Sequence, residues 1–189
     1  EISVTAQPFI MGVVISVVMG ILLTMPTSSA AIWIAIASGS TSDAMMLAGG
    51  AAVVGCAAQM VGFAVMTFKE NGVGGLISQG IGTSMLQIPN IMKHPLIFVP
   101  PIIASAIVGP IATCVFKLRC TAGGGGMGTS GLVGVFGAVE ASKGVVSDAN
   151  IALAIVFLMF VIPAVVSLLF RILFEKKGWI KGEWMKLDV

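Results

Sequence analysis

Residues 151–170, IALAIVFLMFVIPAVVSLLF, run for twenty positions without a charge. At about 1.5 Å per helical residue, such a stretch crosses the roughly 30 Å of hydrocarbon in a bilayer. Residues 44–68 and 95–116 are also uncharged, and 9–25 is a shorter version of the same pattern. A chain with this much apolar surface cannot hide it in a water-soluble core. The fold class that follows is an all-α integral membrane protein, a polytopic helical bundle. Composition agrees: hydrophobic residues make up 57% and charged residues 10%, with a mean hydropathy of +1.08. Soluble domains carry about a quarter charged residues. A single membrane domain accounts for residues 1–189, with long spans at about 9–25, 44–68, 95–116 and 151–174.

The same numbers exclude several function classes. A net charge of +2, with no basic patch interleaved with aromatics, gives nothing to hold a phosphate backbone, so nucleic acid is not a partner. Cys56 and Cys114 sit in apolar runs and Cys120 in a loop, which reads as two small hydrophobes and a loop thiol. With a single histidine, no metal site is expected, and no cofactor. The chain opens on Glu1 with no basic stretch before its first apolar segment, so that segment does not read as a signal peptide and the chain reads as a processed or partial product.

Between the long spans lie apolar segments that are too short or too rich in glycine to cross easily, at about 26–38, 73–88 and 127–141. The last two share G-x-G-T-S-x-L, at Gly80–Leu86 and Gly126–Leu132, 46 residues apart. A further correspondence joins Pro26-Thr27-Ser28 to Thr129-Ser130, and Ser42-Asp43-Ala44 to Ser147-Asp148-Ala149. These suggest three internal repeats, each a short segment followed by a long helix. Ser42 or Asp43, and Ser147 or Asp148, suit the N-caps of the long helices, and the Thr-Ser pairs can cap the short ones. If the short segments crossed, the repeats would be parallel; if they dip in and return, successive repeats are inverted. Short length and glycine content favour broken or re-entrant helices, which persist at membrane depth where protein or a wet cavity surrounds them. Arg171, Lys176, Lys177, Lys181 and Lys186 lie in or beside residues 175–189, so the positive-inside rule makes this a cytoplasmic tail.

Polar residues stand out in such a chain. Glu140 ends an apolar run and reads either as a functional carboxylate at membrane depth or as an interfacial group paired with Lys143. Gln87, Asn90, Lys93 and His94 cluster between two prolines; amide, imidazole and ammonium groups suit the hydroxyls of a polyol, and the alternative is a wetted interfacial loop. With the Thr-Ser pairs, the candidate substrate-binding set is Thr83, Ser84, Gln87, Asn90, His94, Thr129, Ser130 and Glu140. Gln87, Asn90, His94 and Glu140 are expected to share one cavity. The run Gly123–Gly126 reads as a hinge rather than a phosphate cradle, because no Lys-Ser/Thr follows it. No set of nucleophile, base and orienting group is evident, so no catalytic residue is assigned. Small residues at Ala48, Ala52 and Cys56, and at Ser105 and Gly109, imply close helix contacts inside the chain or across an oligomer interface; a homo-oligomer is expected.

The run NGVGGLISQGIGTSMLQIPNIMKHPLIFVPPIIASAIVGPIATCVFKL, followed by GGGGMGTSGLVGVFGAVEA, resembles the bacterial perfringolysin O regulator-like membrane proteins classed with the EIIC permeases of the phosphotransferase system. The resemblance covers roughly residues 9–174 and corresponds to the C-terminal part of such a protein. It implies a sugar-permease-like protein of the bacterial cell membrane with re-entrant hairpins around the sugar. His94 and Glu140 match residue types that bind sugar in those permeases, although not within the glycine-isoleucine-threonine-glutamate motif of the glucose-type members. It also implies a IIB-type phosphorylation partner, which this sequence does not contain. A channel or transporter for another small solute, and a membrane regulator or sensor retaining a permease fold, are the alternatives.

Overall fold

A computed structural model describes residues 2–40 and 42–187, with side chains from Gln7 onward; Glu1, Asp188 and Val189, which fall within the expected domain and tail, lie outside the described residues. Four helices are long and apolar enough to cross a membrane: Gln7–Thr24, Asp43–Met66, Pro95–Phe116 and Asp148–Lys176. The first belongs to helix α1 (Ile2–Thr24), and the short α2 (Ser29–Ala37) follows it. Helix α3 (Asp43–Met66) is the axis of the bundle, buried continuously from Ala48 to Ala64. Its small-residue composition fits that place. A helix surrounded by protein has no need of bulky lipid-facing side chains, and α3 has the lowest hydropathy of the four.

Lipid removes the hydrophobic drive between helices, so association depends on close packing and interhelical hydrogen bonds. The neighbours of α3 show both. Gly55 lies against the Ser16 backbone of α1, and a Cβ on Gly20 would come within 2.8 Å of the Gly55 carbonyl. On the other side stands α6 (Val99–Pro110), where Gly109 packs against Gly12 and Ser16. Ser105 donates to the Gly55 carbonyl at 3.2 Å, and Ser16 to the Ser105 carbonyl at 2.8 Å. Ser105, Gly109, Ala48, Ala52 and Cys56 therefore make their close contacts inside the chain.

The Ser16–Gly55 and Gly20–Gln59 contacts make α1 parallel to α3, whereas Ser105–Gly55 and Pro101–Gly62 make α6 antiparallel. The last long helix combines α8 (Asp148–Ala154), a π-helical stretch Ile155–Val161 and α9 (Ile162–Lys176), and it runs parallel to α3 with Ser167 beside Gly62. Pro163 follows that π stretch, and Pro110 precedes a second one, Ile111–Phe116. A proline removes a backbone donor, and a local π turn absorbs the fault.

The short segments fill the space between. Residues 68–94 contain α4 (Phe68–Ile77), a π turn Ser78–Gly82, a 3-10 turn Ser84–Gln87 and α5 (Ile88–Lys93). They leave from the Thr67 end of α3 and return to it, since the following Ile97 and Phe98 pack with Phe63 and Met66. Residues 117–142 do the same from the Asp43 end. The Cys120 backbone amide donates to the Met46 carbonyl, the chain descends until Gly128 touches Ala57, and α7 (Val133–Ser142) climbs back to where Ser142 holds Arg119. Both segments are re-entrant hairpins, entering from opposite ends.

Candidate functional site

The two hairpins meet tip to tip. The helix of the first stops at Gly82, leaving its last carbonyls without the amides of a next turn. Hydroxyls of the second hairpin take that place: Thr129 Oγ1 donates to the Gly80 carbonyl at 2.6 Å and Ser130 Oγ to the Gly82 carbonyl at 3.0 Å. Thr129 is fully buried and also lies 3.5 Å from the Met60 sulfur, which puts the joint near the Thr67 end of α3. In both G-x-G-T-S-x-L segments the threonine precedes a short 3-10 turn opened by a serine, although Thr83 is extended and Thr129 is not. They differ in detail: Thr83 caps the Met85 amide, whereas Thr129 reaches across to Gly80 and is followed by Gly131 and Leu132 in left-handed conformations.

A third break arrives at the same place. Helix α1 ends at Thr24, whose hydroxyl lies 2.8 Å from that of Ser84, and the chain turns through Pro26, Thr27 and Ser28 into α2. Between the three breaks is an open pocket of about 410 Å³ lined by Thr27, Ser28, Ser29 and Thr83 with Pro26, Met85 and Met127 among its apolar walls; Pro26, Thr27, Ser28 and Met85 are exposed. This falls within the roughly 300–1,000 Å³ of small-molecule sites. Ser28 Oγ accepts from the Ala31 amide and Thr83 Oγ1 from the Met85 amide, so each keeps its O–H to donate.

Gln87, Asn90 and His94 form a second group, and their partners are in the tail. Gln87, fully buried, donates to the Gln79 side-chain oxygen at 3.0 Å and to the Met185 carbonyl at 3.1 Å. Asn90 donates to the Gln87 side-chain oxygen and to the Lys186 carbonyl. His94 stacks on Trp184 with ring centroids 3.9 Å apart. Sequence reasoning missed three members. Gln79 donates to Thr67 at 2.8 Å, and Asn71 both donates to the Met185 carbonyl and accepts from the Leu187 amide. Gln79 and Thr67, polar positions in apolar stretches, were the available signal. Nearby, Arg171 is buried and bridges Glu70, at 2.5 and 2.9 Å, and Glu175 at 3.0 Å.

Glu140 does not join either group. It is exposed in the last turn of α7, two residues before Ser142 and so at the Asp43 end, while His94 is at the Thr67 end. Helix α3, which separates the two ends, has 24 residues and is about 36 Å long. The expected single cavity for Gln87, Asn90, His94 and Glu140 is thus not formed, because α7 carries Glu140 away from the tips. Nor, among the described residues, does an ion pair join Glu140 to Lys143; Arg119 pairs with Asp43 at that end.

A further expectation is revised. In the run Gly123–Gly126, expected to be a hinge, three glycines make close contacts: Gly124 packs on Gly137 and Cys120, Gly125 on the Trp33 ring, and Gly126 on the Ser29 backbone, while Gly123 faces open space. Cys120 lies in a loop, as expected, and its thiol is buried there, which pushes its pKa up to about 12. Among the described residues no cluster of histidine, cysteine and carboxylates could hold a metal.

The family model described as "Phosphotransferase system, EIIC" matches residues 1–187. No curated protein and no solved structure matches the chain.

Proposed function

Because the chain belongs to the phosphotransferase system EIIC family, we propose that it is a sugar-permease-like transport protein that binds its sugar in the cavity where the three broken segments converge. The observation carrying this reading is the pocket itself: three chain breaks that meet at an open site on the bundle surface, with the hydroxyls of Ser28 and Thr83 still able to donate. A sugar hydroxyl can accept such a bond and return one, while Met85, Met127 and Pro26 offer apolar walls to the ring faces. Ser84, Thr129 and Ser130 hold the tips in place around the sugar. Gln87, Asn90 and His94 act on the hairpin that bears Thr83. Within the family, the run from Asn71 to Leu118 and the glycine-rich stretch after it support placement with the perfringolysin O regulator-like members.

The cations divide unevenly. Lys69, Lys93, Arg171, Lys176, Lys177, Lys181 and Lys186 belong to the Thr67 end, against Lys117, Arg119 and Lys143 at the Asp43 end. This supports a cytoplasmic Thr67 end and tail. A IIB-type domain would then meet the sugar from that side, where the joint and its cavity also lie.

Calorimetric titration of the protein in lipid nanodiscs with a panel of hexoses and disaccharides tests the proposal. At least one sugar should bind, and Thr83→Val should weaken it about tenfold, the equivalent of roughly 1.4 kcal/mol. If no sugar of the panel binds the folded protein, or Thr83→Val binds equally well, the assignment falls.

A further inference from the structure

The polar cluster at the Thr67 end has the anatomy of a peptide-binding cleft. Asn71 reads the backbone at two points, donating to the Met185 carbonyl at 2.9 Å and accepting from the Leu187 amide at 2.8 Å. These two bonds bracket the point where a 3-10 turn, Gly182–Met185, passes into extended backbone at Lys186. Gln87 adds a second donor to the Met185 carbonyl and Asn90 takes the Lys186 carbonyl at 3.0 Å. Specificity comes from two side chains between these bonds: Trp184 stacks on His94 with ring planes 7° apart, and Met185 is fully buried among Phe63, Met66, Ile91, Ile97 and Phe98.

The bonds are made to both limbs of the first hairpin. Asn71 stands on the descending limb, and Gln87, Asn90 and His94 on the returning one. Through Gln79 the network continues to Thr67 on α3. Residues 184–187 therefore staple the hairpin shut and tie it to the bundle axis. Thr83 rides on the tip of that hairpin.

We propose that Asn71, Gln87, Asn90 and His94 form a cleft for a peptide that leaves a 3-10 turn into extended backbone, that its occupant is the chain's own segment 184–187, and that this segment is a releasable strap gating the hairpin from the Thr67 side. The cleft stands on the contacts alone; the gate also rests on the sugar reading of the cavity. Lifting the strap frees the amides of Asn71, Gln87 and Asn90 together and lets the two limbs part. A second cavity, of about 410 Å³, lies where the strap meets the descending limb, lined by Asn71, Gly75, Ser78, Lys186 and Leu187 among others. Release would widen it and bare Ser78 further.

The test uses the full-length protein in nanodiscs with Cys56, Cys114 and Cys120 replaced by alanine and Ser78→Cys introduced as a probe. Reaction with N-ethylmaleimide should be slow in this parent and at least tenfold faster in Asn90→Ala and in Trp184→Ala. Trypsin cleavage at Lys181 should accelerate in parallel. Added peptide WIKGEWMKL, residues 179–187, should return the labelling of Trp184→Ala to the parent rate at millimolar concentration, the effective concentration of a short tether. Labelling within twofold of the parent in both variants, or acceleration that the peptide does not reverse, overturns the strap. The labelling needs no sugar. If it accelerates and reverses while no sugar binds, the cleft stands and the sugar reading alone fails; if sugar binds while labelling is unmoved, the strap alone fails.

Discussion

Replacing Thr129 by valine keeps nearly the same shape and removes one hydroxyl, so it isolates the bond between the hairpin tips. In the protein that hydroxyl is fully buried and donates to the Gly80 carbonyl at 2.6 Å, at a point where the helix has ended and no following amide is available. The valine leaves a carbonyl dry and unpaired, which costs about 1–3 kcal/mol. The neighbouring bond, Ser130 to the Gly82 carbonyl at 3.0 Å, is half exposed, so water can replace the serine and Ser130→Ala should cost about 0.5–1.5 kcal/mol. The two act on one tip, and a double-mutant cycle should show coupling rather than a simple sum. Unfolding by titration with sodium dodecyl sulfate in mixed micelles can be followed through tryptophan emission, with Trp33 reporting directly on the second hairpin through its contact with Gly125. Thr27→Val is the control: its hydroxyl is exposed and bonds the Leu22 carbonyl within the same turn, so the loss should stay below about 0.5 kcal/mol. A Thr129→Val protein no less stable than the Thr27→Val control would refute the claim that side-chain hydroxyls tie the tips together.

Two other outcomes follow from buried groups. Arg171→Met leaves Glu70 without its partner in a site where the carboxylate is only 12% exposed, and should lower stability by about 3–5 kcal/mol, whereas Arg171→Met with Glu70→Leu should recover most of the loss. Cys120, with its pKa raised to about 12 by burial, carries almost no thiolate at pH 7–8. It should resist N-ethylmaleimide in the folded protein and react once denatured, as mass spectrometry of its tryptic peptide would show.

The long helices were legible because lipid imposes a rule that local sequence can express: twenty or so residues without a charge. The breaks were legible for a related reason, since Gly80-Ile81-Gly82 ends one helix and Thr83 supplies the cap of the next turn. Partners were a different matter. Gln87 and Asn90 stood out as hydrogen-bonding groups, but the carbonyls they meet, Met185 and Lys186, are nearly a hundred residues away and carry no local mark. Glu140 looked deep because an apolar run precedes it, yet α7 has only ten residues, about 15 Å, and its final turn is already at the surface. The glycine run misled because composition cannot tell a hinge from a close contact; the deciding groups, the Trp33 ring and the Ser29 backbone, lie elsewhere in the chain.

The contacts of the first hairpin also set an order of events during synthesis. Helices α1 and α3 can pack as soon as residue 66 or so has left the ribosome, but Asn71 must wait for Met185, 114 positions later. At roughly 5–20 residues per second the delay is about 6–23 s. Throughout that interval the amides of Asn71, Gln87 and Asn90 have no tail carbonyl to bind. Within the hairpin Gln87 can still donate to Gln79 and Asn90 to Gln87, but only the arrival of residues 184–187 completes the set. Ribosomes stalled before that point would hold an immature hairpin, which a membrane protease could recognise by its exposed amides.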